Sequence, residues 1–137
     1  MLMGTGGNSG SQSSVTVIRG LSLGEVEFRD IVKVIWKEMR VALLCGVALA
    51  VINFGKIMLI DRAVMGDAVT VTVALVICIT LFVTVICAKL IGCVLPMLAD
   101  KMGFDPAVMA SPFITTLIDA VSLLVYFKVA QIVMGII

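Results

Sequence analysis

The chemistry open to this sequence centres on Asp119, one carboxylate in the run ITTLIDAVSLLVYF, residues 114–127. A charge at mid-bilayer costs from about 3 kcal/mol upward, so such a residue faces a protein interior or a water-filled path. Ser111, Thr115, Asp119, Ser122 and Tyr126 follow one another at steps of four, four, three and four, which puts them on one face of a helix. A carboxylate among hydroxyls suits a cation. Hard oxygen donors in a chain with no histidine suit Mg²⁺ or Ca²⁺ better than zinc or copper. Magnesium dehydrates reluctantly, so a carboxylate touching its first-shell waters would lie roughly 4–5 Å from the ion. One carboxylate per chain is little charge for this task. Two chains about a twofold axis would supply a pair, and cyclic dimers are the commonest assembly. Two other readings remain open: a structural or assembly module in which Asp119 forms a buried ion pair with Lys89, and a proton-coupled secondary transporter with Asp119 as the proton carrier. Lys128 is nine positions on, on the opposite side of the helix, and is no intrahelical partner.

The elements that must hold this face are those of a membrane protein. Hydrophobic residues make up 61% of the 137 and charged ones 14%, and the mean hydropathy is +1.23, far outside the range of soluble domains. The net charge of +1 argues against a nucleic-acid partner. Cys45, Cys78, Cys87 and Cys93 lie within apolar runs without a C-x-x-C pair and read as small apolar side chains, not as metal ligands or disulfides. The expected class is an all-α integral membrane protein forming one membrane domain over residues 1–137. Three full spans, at about 39–60, 69–98 and 112–137, each meet the ~20-residue length of a helical crossing. An amphipathic helix at residues 19–38, with Val26, Phe28, Ile31, Val34 and Ile35 at helical spacing, is expected to lie at the membrane surface. Ser22 with Glu25 has the spacing of a capping box. The segment before it, residues 1–18, opens with a Gly- and Ser-rich part, residues 1–14, that has no charged start or long apolar core and does not read as a signal peptide. Its first 14 or so residues are expected to fray unless a partner orders them.

Arg19, Arg29, Lys33, Lys37 and Arg40 precede the first span and Lys101 follows the second, whereas Lys56 and Arg62 lie at the other end. The basic excess predicts a cytoplasmic start, a cytoplasmic loop around Lys101 and an external C-terminus. Lys56 is expected to snorkel to the external interface.

Several ordered segments resemble the MgtE magnesium channels: MGTGGNSGSQSS, IRGLSLGE, WKEM, LPMLADKMGFDPAVMASPFITTLID and LLVYF. The resemblance covers essentially the whole chain. It implies a plasma-membrane (inner-membrane) homodimer in a lipid bilayer that passes Mg²⁺ passively, with no enzymatic activity and no ATP site in this chain. It implies that Asp119 is the central pore carboxylate, holding a hydrated ion with its twofold mate. Residues 1–18 are expected to be the tail of a pore-lining helix, from which Gly6, Gly7 and Asn8 would line the pathway, with Ser111, Thr115 and Thr116 on the last helix. Asp105 in GFDPA matches a position implicated in cytosolic metal sensing, and its spacing before Pro106 equally fits a helix cap. The resemblance further implies missing N-terminal helices and a missing cytosolic regulatory region. Ser122, Lys89 and Lys128 depart from the family pattern.

Overall fold

A computed structural model describes residues 2–65, 70–109 and 111–135. Among these the chain is mostly helical, with no strand: α1 (Leu2–Ser22), a 3₁₀ turn (Phe28–Asp30), α2 (Ile31–Lys56), a π turn (Ile57–Asp61), α3 (Arg62–Met65), α4 (Val71–Lys101), a second 3₁₀ turn (Pro106–Met109) and α5 (Ser111–Met134). Three stretches, Phe28–Val64, Val71–Lys101 and Pro112–Met134, are long and apolar enough to cross a membrane.

α4 is the central helix, in contact with α1, α2 and α5. Its sequence is apolar all round, as suits a helix enclosed by others, and it supplies Ala74, Val76, Leu81, Val85, Ala88, Cys93 and Met97 to the core. Thr70 caps its start, its hydroxyl accepting from Val73 N at 3.3 Å. Pro96 sits inside it and has no N–H to offer the Gly92 carbonyl one turn back. The helices around α4 approach closely through small residues, the usual basis of helix association in membranes. A Cβ on Gly46 of α2 would stand 2.9 Å from the Phe82 ring.

Several boundaries differ from those read in the sequence. Residues 2–22 are helical and packed on α4 and α5, so the expected fraying at the chain start is corrected. Gly6 and Gly10 let this backbone settle against its neighbours, and Ser13 and Ser14 are fully buried. Tertiary packing within the chain orders the segment that was expected to fray. The capping box expected at Ser22 is also absent, because Ser22 ends α1 and its hydroxyl donates back to Ile18 O at 2.9 Å. Gly24 follows in the left-handed region, φ +68°, and closes the turn with Gly24 N donating to Leu21 O and Glu25 N to Gly20 O. The amphipathic residues Phe28, Ile31, Val34 and Ile35 form the beginning of the first long span. They pack with Leu21 and Val26 against Val17, Cys93 and Met97, so their apolar stripe is covered by α1 and α4.

Phe28 and Lys101 lie together, with Lys101 Nζ 4.1 Å from the ring centroid. The start of the first span and the end of α4 are therefore at one end of the molecule, the end at which the basic residues cluster. The four cysteines are free, Cys78 and Cys93 buried, Cys87 half-buried and Cys45 exposed on α2.

Candidate functional site

α5 meets α1 and α4 through Ile114 and Ile118, both buried and packed with Ala88. This seating turns the next residues toward the edge of the α1 seam. Gly7 of α1 faces Thr115, whose Cγ2 would stand 2.8 Å from a Cβ at that glycine. Ser11 Oγ lies 3.4 Å from Thr115 Oγ1. One turn along α5 from Thr115 comes Asp119, half-buried, with an enclosed Oδ1 that has no hydrogen-bond partner among the described residues. A buried carboxylate oxygen left unpaired is costly, and such groups are few in folded proteins.

The other predicted residues are distributed around this seam. Gly6 packs inward, its absent Cβ leaving room for Thr84 Cγ2 at 2.7 Å, Ile118 Cγ2 at 3.1 Å and Ser122 Oγ at 3.2 Å. Ser122 is buried and donates to Ile118 O at 2.7 Å, so the polar stripe of α5 divides: Ser122 turns to the core and Asp119 stays at the edge. Asn8 is exposed on α1 and lines a cleft of about 410 Å³ with Thr5, Ser9 and Gln12. Thr116 is exposed and donates to Pro112 O at 2.9 Å. Ser111 begins α5, and its side chain lies outside the described residues. Asp105 is exposed at the far loop, where Oδ1 accepts from Ala107 N at 2.8 Å and caps the 3₁₀ turn. Lys128 is exposed on α5. Lys56 is 44% exposed and bonds Asp61 across the π turn at 2.9 Å.

The pairing of Asp119 with Lys89, one of the readings of the sequence, is not the arrangement found. Lys89 Nζ bonds Glu38 Oε2 at 3.2 Å and Ser13 Oγ at 3.0 Å. Glu38, read from sequence as part of a surface helix, is 7% exposed and joins Asp119 as a carboxylate within the helical body. The nearby charges Lys37 and Arg40 concealed it, because a residue among charges reads as solvated. The spacing of Lys89 offered the one signal, a cation in an apolar run that needs a buried partner.

No group of three or more His, Cys, Asp or Glu side chains comes together among the described residues. The acidic chemistry at the α1–α5 seam is that of Asp119 with neighbouring hydroxyls. The model of the MgtE family, described as a divalent cation transporter, matches residues 1–129. The chain belongs to this family. It is 36% identical over 134 residues to the magnesium transporter MgtE of Thermus thermophilus, covering 98% of this chain and 28% of that protein. It is similar to the magnesium transporters MgtE of Bacillus subtilis, 36% over 130 residues, and Enterococcus faecalis, 33% over 134 residues; 95% and 98% of this chain and 27% and 28% of those proteins are covered. The chain thus spans between a quarter and a third of the length of these relatives. Membership makes it part of a multi-pass membrane transporter family, in accord with its three long apolar helices.

Proposed function

We propose that this chain forms the ion-conducting part of a magnesium transporter, in which Asp119 holds a hydrated Mg²⁺ ion as it passes down its electrochemical gradient. The observation that carries the proposal is the enclosed, unpartnered Oδ1 of Asp119 on a membrane-spanning helix. Lys89, the cation that the sequence offered as its ion-pair partner, is engaged elsewhere. A carboxylate in that position is completed by a cation carrying its own water, and magnesium is commonly bound through one or two carboxylates with several waters retained. The magnesium transport ascribed to the relatives gives the substrate.

Two chains about a twofold axis would bring two Asp119 groups to one ion. In that assembly Gly7, Asn8, Ser111, Thr115 and Thr116 would border the path, and Gly6 would allow α1 to lie close against α4 and α5. The basic cluster at the start of the first span supports a cytoplasmic position for that end and an external C-terminus at the plasma membrane. Asp105 would then face the cytosol, where a divalent ion could compete with its capping bond.

The test is Mg²⁺ uptake into proteoliposomes by the complete transporter containing this chain. Asp119→Asn should abolish uptake driven by membrane potential, and a pH gradient imposed at fixed potential should leave wild-type uptake unchanged. Undiminished uptake by the variant would remove Asp119 from the path, and dependence on the pH gradient would make it a proton carrier.

A further inference from the structure

Glu38, Lys89 and Ser13 form a second buried polar cluster, apart from the cation site. Lys89 Nζ donates to Glu38 Oε2 and to Ser13 Oγ, and the Ser13 hydroxyl donates to the same Glu38 oxygen. The two charged side chains retain 8% and 9% of their accessible surface. One group therefore ties three helices: α1 through Ser13, α2 through Glu38 and α4 through Lys89. A buried ion pair adds little net stability, because desolvation offsets the attraction. Separating its partners leaves an uncompensated charge in a low dielectric, so the pair disfavours every helix arrangement but the one that closes it.

Its place on α1 gives this a consequence. Two residues before Ser13, Ser11 meets Thr115 of α5, and Gly7 supports the same threonine one turn earlier. Rolling α1 far enough to break the Ser13 contacts would carry Ser11 and Gly7 away from Thr115, one turn from Asp119. There is room for such a roll, because the cleft of about 410 Å³ opens between α1 and α2, with Asn8 and Gln12 on one wall, Cys45 and Leu49 on the other, and Lys89 beside them.

We infer that the Ser13–Glu38–Lys89 cluster is a positioning site for the ion path: it fixes the rotation of α1, and with it the edge that α1 presents to Thr115 and Asp119. The inference rests on the proposed ion site for its binding readout and is independent of it for its geometry.

The geometry is read by introducing Ser11→Cys with Thr115→Cys into the chain in lipid nanodiscs. Formation of that one disulfide is followed by mass spectrometry, which separates it from bonds to the native cysteines. Glu38→Gln should slow the cross-link about tenfold among folded molecules, and adding Lys89→Met to remove the stranded charge should bring it back within about threefold of the parent. Mg²⁺ titration of the same Glu38 and Lys89 variants, without the introduced cysteines, should follow the same order. Where Glu38→Gln does not fold, Lys89→Met alone serves, and by stranding the Glu38 carboxylate it should slow the cross-link in the same way. A lowered unfolding temperature with an unchanged cross-link would make the cluster merely structural and overturn the inference, as would a double variant no better than the single one. A parent that binds no Mg²⁺ while the cross-link responds as expected would overturn the ion-site reading and leave the positioning role standing.

Discussion

Gly10 of α1 and Gly92 of α4 meet backbone against backbone: a Cβ on Gly92 would stand 2.2 Å from the Gly10 carbonyl oxygen, and one on Gly10 would stand 2.9 Å from Ala88 O. Backbone cannot swing aside as a side chain does. Gly92→Ala is therefore expected to push α1 off α4 and to destabilise the fold by about 1–3 kcal/mol, the usual range for overpacking. Thermal unfolding in nanodiscs would register it as a lowered midpoint. Gly55, with nothing within 4 Å of its Cβ position, provides the control, and Gly55→Ala should leave the midpoint unchanged or slightly raised.

The contact of Lys101 with Phe28 joins the end of α4 to the start of the first span, which fixes a topological expectation. Single cysteines at Met102 and Val64, both well exposed, should react with a membrane-impermeant thiol reagent from opposite sides, Met102→Cys from the cytoplasm and Val64→Cys from outside. Labelling of both from one side would contradict the three-span arrangement.

The spans were legible because hydropathy over ~20 residues is a strong and local signal. Asp119 was legible for the same reason, as a charge against an apolar background. Glu38 was hidden among Lys37 and Arg40, and its burial depends on Lys89, 51 positions away, which no local pattern encodes. The helix at the chain start was likewise obscured, since glycines and serines between a linker and a packed helix differ only in what lies opposite them. There Gly10 has Ala88 and Ile118, and Ser13 has Glu38 and Lys89. The halving of the α5 stripe, with Ser122 inward and Asp119 at the edge, follows from steps of three and four that are close to, but not equal to, one turn.

Asp105 has a visible structural duty in the cap to Ala107 N. Asp105→Ala should cost about 1 kcal/mol or less, as loss of a cap on a short exposed turn does, and Asp105→Asn, which keeps an accepting oxygen, less still. Chemical denaturation measures both. If Asp105 also binds a cytosolic divalent ion, Asp105→Asn should lose the Mg²⁺ dependence of hydrogen exchange in the loop after α4 while retaining stability.

Thr115 lies between Gly7 and Asp119 along the seam and bonds Ser11. Thr115→Ala removes the hydroxyl and the methyl that fills the space beside Gly7 while leaving the carboxylate. A fewfold weakening of Mg²⁺ binding is expected, since one neutral hydrogen bond contributes about 0.5–1.5 kcal/mol. Isothermal titration would detect it, and an effect as large as that of removing the Asp119 charge would move the centre of the site to the threonine.

The central claim is that the carboxylate of Asp119, with its enclosed and unpartnered Oδ1 among the described residues, is the group that holds the divalent ion. Mg²⁺ titration of the lipid-embedded protein and its Asp119 variants tests it most directly. Asp119→Glu should keep a weakened site, because the charge survives and the geometry shifts. Asp119→Asn should lose roughly ten- to a hundredfold in affinity, the equivalent of the about 1.5–3 kcal/mol that a hydrogen bond to a charged group contributes. Affinity in Asp119→Asn equal to that of the wild type would contradict the account.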